Sequence, residues 1–477
     1  MDIAILLLLP LVLSGLRDRE GVLGDPDIWW HLADARILFQ SHHFIRIEPY
    51  SFTVAGQRWV NPEWLSEVPY WLGYKTWGLV GIYLVAWLGL SLNVLFVYWR
   101  SSKSARNSGV ALWMSALGFV LMWVNAGART ILFAYLAMSA EMAVLEAVER
   151  GHRRMLWLLP PLFCLWINLH GSWIIGIALL ALYVGCGLFP IDAGIFQQEK
   201  FSTEQRNRLL MVSGASLAIL FINPYGWRLL WNPLDMVFGQ SLNIANVIEW
   251  QPLNLSWNVG KAALIAIGLT IFANAMHSRK WRIYEVAFVF FAWYAAFDHA
   301  RFTFLAAVVT IPMLAADVAR SFFPVSNQKT IPFMNGLVAA GILGVIVWYF
   351  PTEQMLRKGL TRQFPLQSIA AVEPSWRTLN EEHIGGMMDF CVRPTFIDTR
   401  WDTFEHHGVM DDYLDIFRIQ NPTGVLDKYQ IDHVLIRKNE PLAYVLERTT
   451  GWTVVRTEAT SGSTYELLAK SGQGGGH

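Results

Sequence analysis

Cysteine is scarce, three in 477 residues. Cys164 and Cys186 lie inside apolar runs and Cys391 far downstream, so neither a disulfide framework nor metal-ligand spacing follows. Charge is scarce too, at 16% of residues, and its signs cancel: 37 Lys and Arg against 37 Asp and Glu. With a formal net charge of zero there is no global electrostatic argument for nucleic acid as a partner. The segment Met1 to Leu16 lacks a basic n-region and an A-x-A-like cleavage site, and so reads as a retained first span. The doublets His42-His43 and His406-His407 lack any HExxH-like spacing, which argues against a metal held through them.

What the chain does have is apolar sequence. It is 54% hydrophobic, holds 23 Trp, and has a mean hydropathy of +0.34. Repeated apolar runs near bilayer length make it a polytopic membrane protein. The runs predict eleven spans, at about 2–16, 77–99, 108–124, 130–148, 155–169, 172–189, 209–222, 262–276, 283–297, 302–319 and 331–350. Several are nearer 15 than 20 residues, and only His170-Gly171 separates the fifth from the sixth.

Alternate loops differ in basic residues. One set holds Arg100, Lys103 and Arg106; Arg150, Arg153 and Arg154; Lys200, Arg206 and Arg208; Arg279, Lys280 and Arg282; and Arg320 with Lys329. The opposite set is longer yet poorer in Lys and Arg, its basic residues including Arg17, Arg19, Arg36, Arg46 and Arg58. The positive-inside rule puts the first set, and the N-terminus, in the cytoplasm. The 20–75 loop, the 223–261 loop and everything after 351 are then outside. The expected division is a membrane domain over 1–350, an external α/β domain over 351–470, and a glycine-rich disordered tail over 471–477.

This orientation gathers the chemistry-bearing residues on the outer face: Asp25, Asp27, His31, Glu63, Glu67, Arg129, His170, Asn223, Glu249, Asp298, His299 and Arg301. The cytoplasmic turns offer mainly solvated basic residues. Ile28, Leu32, Ala35 and Phe39 recur at helical spacing, which predicts an amphipathic helix along the outer interface with Trp29 and Trp30 at headgroup level. Asp27 stands at its N-terminal edge, where a helix cap accounts for it as readily as catalysis does. Asp25 precedes a proline, hence is extended, which suits a carboxylate facing a cavity. Glu63 and Glu67 are four apart and share a helical face, where solvated interface charge is the alternative. His170 is either a helix-end hydrogen-bonder or a site residue. Arg301, at the outer end of a span, suits a phosphate through paired hydrogen bonds, against ordinary snorkelling.

In the external domain the pattern predicts strands at Thr395–Asp398, His433–Arg437, Thr453–Thr457 and Thr464–Ala469, with helices at Met410–Arg418 and Pro441–Arg448. Asp398, Arg400, Asp402 and Asp411-Asp412 read either as acceptor contacts or, more simply, as strand-end and helix-start residues.

The run Asp25-Pro26-Asp27-Ile28-Trp29-Trp30-His31-Leu32, followed by Glu63-Trp64-Leu65, resembles the GT-C glycosyltransferases. So do His170-Gly171, Asn223-Pro224-Tyr225-Gly226, Glu249-Trp250-Gln251-Pro252 and Phe396-Ile397-Asp398-Thr399-Arg400. The closer likeness is to the bacterial branch related to protein O-mannosyltransferases and lipid A aminoarabinose transferases. It covers nearly the whole chain through short motifs in a fixed order. The usual Asp-Glu pair is replaced by Asp25 and Asp27, and Asn61-Pro62-Glu63 stands about where a Lys-Pro-Pro pattern is expected.

The resemblance implies a multi-pass enzyme of the bacterial inner membrane that moves a sugar from a polyprenyl-phosphate donor to an acceptor outside. The acceptor would be a glycan, lipid or protein. Asp27 or Asp25 would be the general base. Arg301 first, then His170 and Arg129, would hold the donor phosphate. His31, Glu63, Glu67, Glu249 and His299 would bind substrate or support the site. Direct displacement would invert the anomeric centre, and a divalent metal is the alternative carrier of the cationic role. The rival from another class is a non-catalytic subunit that binds lipid-linked glycan in envelope assembly. A transporter is less favoured, because Glu141 and Glu146 are the only acids deep within a span.

Overall fold

The computed structural model describes residues 4–18, 22–277, 279–323, 332–448 and 451–471. Arg19 and Lys329, used above for orientation, and tail residues 472–477 lie outside them. The chain forms two compact units. One comprises Met1–Asp18, Ala86–Pro233 and Ala245–Phe350; the other comprises Arg19–Val85, Leu234–Ile244 and Pro351–His477.

The first unit is helical, and its centre is the helix Thr303–Phe322. Fifteen of its 20 residues are buried, because it is apolar on every side and helices surround it. Ser108–Leu121, Ile131–Glu149, Asn258–Met276 and Ile283–Asp298 all pack on it. Arg100, 1% exposed, donates to the Val308 carbonyl of this helix at 2.6 Å and pairs with Glu146 at 2.6 Å. Several basic residues expected to be solvated are thus paired with acids instead: Arg279 with Glu285 and Asp317, and Arg282 with Glu149. Low-dielectric surroundings make such pairing the cheaper way to hold a charge. Three short strands, Ile191–Ala193, Phe196–Gln198 and Trp281–Arg282, form a small sheet in this unit.

Five helices among the described residues are long and apolar enough to cross a membrane: Trp64–Ala105, Ser108–Asn125, Ile131–Glu149, Asn258–Met276 and Ala300–Phe322. A bent pair, Gly336–Tyr349 with Glu353–Gln363, makes a sixth if it counts as one span. The count of eleven is not reached by helix length. The 155–169 run, for example, divides into the 3-10 helix Arg153–Leu158 and the eleven-residue helix Leu159–Leu169. At about 1.5 Å per residue that helix is roughly half of a bilayer core of about 30 Å.

The helix Trp64–Ala105 begins well before the expected span and breaks at Trp77 and Gly78. Gly78 has φ 61° and ψ −139°, a conformation that side chains with a Cβ avoid. Beyond the break, the Glu353 carboxylate accepts from the N–H groups of Leu79 (2.9 Å) and Val80 (3.3 Å), filling part of the open helix end.

The second unit joins the first loop to the C-terminal region. The expected division assigned 20–75 to the membrane domain; in the compact units it goes with Pro351–His477. A four-stranded sheet runs in the order Thr378–Asn380, His433–Arg437, Thr464–Lys470, Trp452–Ala459. The first pair is parallel and the other two antiparallel. Three expected strands and both expected helices form, the helices as Val409–Phe417 and Pro441–Arg448. Thr395–Asp398 is not a strand. Its sheet-like pairing is one isolated bridge, Ser51 to Thr395, and the Phe396 carbonyl accepts from the hydroxyls of Ser51 (3.0 Å) and Thr53 (2.7 Å).

The helix expected along the interface forms as Asp27–Ser41, but its first half is interior. Every residue from Ile28 to Ala35 is buried, with Trp29 only 1% exposed. Trp29 meets the rings of Phe364 and Phe390, and the helix packs against Glu382–Phe390. Gly386 permits the approach, since a Cβ there would stand 2.5 Å from the Pro26 carbonyl oxygen. Protein, not headgroup, covers these tryptophans.

Candidate active site

The residues singled out from sequence fall into two groups, one in each unit. In the second unit, Asp27 is the first residue of its helix, and Asp25 Oδ1 accepts from the Asp27 N–H at 3.2 Å. Both carboxylates are half-buried. Asp25 therefore has a structural task besides any chemical one.

His31 lies one turn further on, 3% exposed, and brings Glu63 and Glu67 together. Its Nδ1 is 2.9 Å from Glu67 Oε1 and its Nε2 3.2 Å from Glu63 Oε2. The two glutamates do not share a helical face, since the helix starts at Trp64, yet both are turned onto His31 rather than solvated. Glu63 precedes the helix start, where its carbonyl accepts from the N–H groups of Ser66 and Glu67.

Behind this trio lies a group that sequence reading did not single out. Asn61 Nδ2 donates to Glu67 Oε1 (2.7 Å) and to Asp34 Oδ2 (3.1 Å), while its Oδ1 accepts from the Glu63 N–H at 2.9 Å. Tyr50 donates its hydroxyl to Asp34 Oδ1 at 2.6 Å. Burial pushes the Asp34 carboxyl up to about 8, against the lowering effect of Arg400 and the Tyr50 hydrogen bond. Burial thus favours the protonated form of Asp34. A signal existed: Asp34 is seven residues from Asp27 and three from His31, the spacing of one helix face.

Arg400 closes the network. It forks onto Glu48 with two bonds of 2.9 Å and reaches Asp398 through Nε at 2.9 Å and Nη2 at 2.5 Å. Asp398 ends no strand; it and Glu48 both take up the Arg400 side chain. The aromatic rings of Trp30, Tyr50 and Trp59 surround the guanidinium. Burial also raises Asp389 well above the usual carboxylate range, and Asp402 to about 7.

In the first unit, the Arg301 guanidinium lies over the Trp250 ring, 4.1 Å from its centroid. Among the described residues, no carboxylate forms an ion pair with it. Arg129 is different: it pairs with Glu249 and reaches Asn125 Oδ1 at 3.4 Å. Asn125 in turn donates to the Arg301 carbonyl at 3.0 Å, and His299 donates from Nδ1 to the Trp250 carbonyl at 2.5 Å. Arg301, Glu249 and Arg129 are all close enough to act electrostatically on Tyr135. The structure thus brings Arg129, Glu249, His299 and Arg301 into one neighbourhood.

His170 belongs to it through the field of Arg301. Burial first, and Arg301 second, lower its imidazole to about 3. Its Nδ1 accepts from the Ser172 N–H at 2.9 Å, which leaves the proton on Nε2. His170 is a neutral donor and not a cation. Glu141, by contrast, is fully buried with neither oxygen hydrogen-bonded among the described residues, and it stands apart from this group.

Among the described residues no three His, Cys, Asp or Glu side chains group in a way that would hold a metal ion. No step below passes through a metal.

No family model matches the sequence, and no curated protein matches it. Solved structures do. The archaeal oligosaccharyltransferase AglB from Archaeoglobus fulgidus, in complex with an inhibitory peptide and a dolichol-phosphate, is 11% identical with a TM-score of 0.57. The likeness covers 99% of this chain and 74% of that one. ArnT from Cupriavidus metallidurans, bound to undecaprenyl phosphate, is 16% identical with a TM-score of 0.53, covering 99% of this chain and 98% of that one. The Archaeoglobus fulgidus oligosaccharyltransferase complexed with zinc and sulfate is 12% identical, TM-score 0.52, covering 91% and 68%. At such identities the likeness is one of fold, and these proteins are GT-C glycosyltransferases.

Proposed function

We propose, with the GT-C fold as premise, that the chain is an integral-membrane glycosyltransferase acting on a polyprenyl-phosphate-linked sugar at the extracytoplasmic face. The observation that carries this reading is the end-to-end likeness to ArnT, a protein whose structure holds undecaprenyl phosphate. The acids, histidines and arginines in the loops that the basic-residue asymmetry assigns to the outside add to it. The likeness to a bacterial enzyme and the basic-loop asymmetry support a place in a bacterial inner membrane, with eleven spans, a cytoplasmic N-terminus and an external C-terminal region.

In the reaction, an acceptor hydroxyl attacks the anomeric carbon. A new C–O bond forms as the bond to the lipid phosphate breaks, and its electron pair leaves on the phosphate. Asp27, or Asp25, takes the hydroxyl proton. Asp27 is the first choice, since the Asp25 carboxylate already accepts from the Asp27 N–H. Arg301 meets the charge that grows on the departing phosphate, because no acid neutralises it among the described residues. The neutral Nε2–H of His170 adds a hydrogen bond without charge. Arg129, paired with Glu249, serves more by ordering this region. Displacement in one step inverts the anomeric centre.

The test is release of lipid phosphate by the purified protein in lipid, given a panel of undecaprenyl-phosphate sugars with and without EDTA. Turnover that Asp27→Asn abolishes supports the reading. Saturable donor binding without turnover, indifferent to both aspartates, would replace it with a subunit that only binds lipid-linked glycan.

A further inference from the structure

Asp27, His31 and Asp34 follow one another at intervals of four and three, so they line one face of the helix Asp27–Ser41. Asp27 is half-buried, whereas His31 and Asp34 are 3% and 1% exposed. Against this face stand Glu63 and Glu67, one at each nitrogen of the His31 ring. The ring's own face is covered by Trp30, 3.6 Å away between centroids.

A neutral imidazole has one donor and one acceptor nitrogen, and an ionised carboxylate only accepts. Two carboxylates at the two nitrogens therefore need one proton beyond those of a neutral ring. That proton sits on the ring or on Glu67. Either way the trio Glu63–His31–Glu67 holds two protons and a net charge of −1. Its loss would leave −2 and one broken hydrogen bond where Glu67 is 1% exposed, a costly state for buried charge.

The surroundings favour keeping the proton. The charged groups acting on Glu67 are Asp34, on the helix of His31, with Glu63 and Arg400, and around Asp34 stand Tyr50, Glu48 and Asp398. Arg400 is one positive charge set between two acids, Glu48 and Asp398. The remaining field is negative. Asn61 fixes the geometry, since both its amide hydrogens and its oxygen are committed.

We propose that His31 is a positioning residue: its protonated clamp between Glu63 and Glu67 holds the first turn of the helix so that Asp27 is presented for base catalysis. This rests on Asp27 being the base. The clamp gives turnover an alkaline limit that belongs to the trio and not to the substrates.

The experiment follows turnover of full-length protein in lipid nanodiscs from pH 5.5 to pH 10, using the undecaprenyl-phosphate sugar that wild type consumes. Glu67→Gln and Glu63→Gln each remove a carboxylate that holds the proton. Glu67→Gln should move the alkaline limb down by about one pH unit, lowering kcat more than KM, whereas Glu63→Gln, whose amide can donate to a neutral ring, should abolish the limb. His31→Asn should lower turnover at every pH and abolish that limb. Limbs that stay in place, with only the maximum reduced, would overturn the proposal and leave a purely structural contact. Thermal unfolding over the same pH range reads the clamp without turnover. The wild-type midpoint should start to fall at a higher pH than that of Glu67→Gln, and coincident curves would overturn the protonated clamp. A wild type that releases no lipid phosphate from any donor defeats the enzymatic reading, while the unfolding curves still decide the clamp.

Discussion

Arg400 and Glu48 form two parallel hydrogen bonds of 2.9 Å, with side chains only 2% and 0% exposed. The pair ties residue 48 of the first loop to residue 400 of the C-terminal region inside one compact unit. A planar fork on a carboxylate is the geometry in which a buried charge pair keeps the most of its attraction.

Breaking that fork should be severe. Arg400→Gln leaves Glu48 and Asp398 buried without a cation, and is expected to cost about 3–5 kcal/mol. Arg400→Lys should recover little, since an ammonium cannot serve both acids in a plane. Thermal unfolding of the nanodisc-embedded protein reads the loss. A change of under 1 °C in the midpoint would show that the fork contributes nothing.

The two aspartates should separate by experiment. Asp27→Asn is expected to remove turnover with the unfolding midpoint unchanged. Asp25→Asn keeps the accepting oxygen, whereas Asp25→Ala forfeits its hydrogen bond to the Asp27 N–H at about 1 kcal/mol. Lipid-phosphate release alongside melting distinguishes a chemical from a structural role at each position.

Arg301 and Arg129 differ in their pairing. Arg301→Ala should weaken undecaprenyl-phosphate binding about 10–100-fold, the range for a charge-assisted hydrogen bond of about 1.5–3 kcal/mol. Arg129→Ala should weaken it less and destabilise more, because it strands Glu249. Equilibrium binding of undecaprenyl phosphate in nanodiscs measures both, and equal effects would contradict the assignment.

The pH dependence of stability has two opposed sources. Asp34, at about 8 in the folded chain, binds a proton more tightly folded than unfolded. Its contribution is complete below the ordinary carboxylate range near 4 and is lost as pH rises to about 8. Asp402 and Glu381, both at about 7 through burial, act in the same sense and finish earlier. His170, at about 3, does the reverse: its contribution is present above about 6.5 and lost as pH falls toward 3. Asp34→Asn should flatten the alkaline side of the melting profile, and His170→Asn the acid side.

Gly386→Ala should disturb the start of the helix Asp27–Ser41. The new Cβ would meet the Pro26 oxygen at 2.5 Å, backbone that cannot swing aside. Overpacking of this kind costs about 1–3 kcal/mol. Gly462→Ala, with nothing within 4 Å, is the control.

Sequence alone determined the features that depend on local pattern. Apolar runs set the helical class, period and capping placed the helix Pro441–Arg448, and alternation placed His433–Arg437. The order of short motifs pointed to a fold that solved structures of 11–16% identity share. Spacing predicted a common helical face for Glu63 and Glu67, but the helix starts only at Trp64. What those faces meet was decided only in three dimensions. Trp29 and Trp30 suit a headgroup layer as well as a protein interior, and the helix Glu382–Phe390, some 350 residues away in sequence, chose the interior. Asp34, 1% exposed, is held in the interior by Tyr50 and Asn61. The pairing of Arg400 with Glu48 spans 352 positions. No local period encodes a contact at that separation, because it exists only where burial makes each charge need the other.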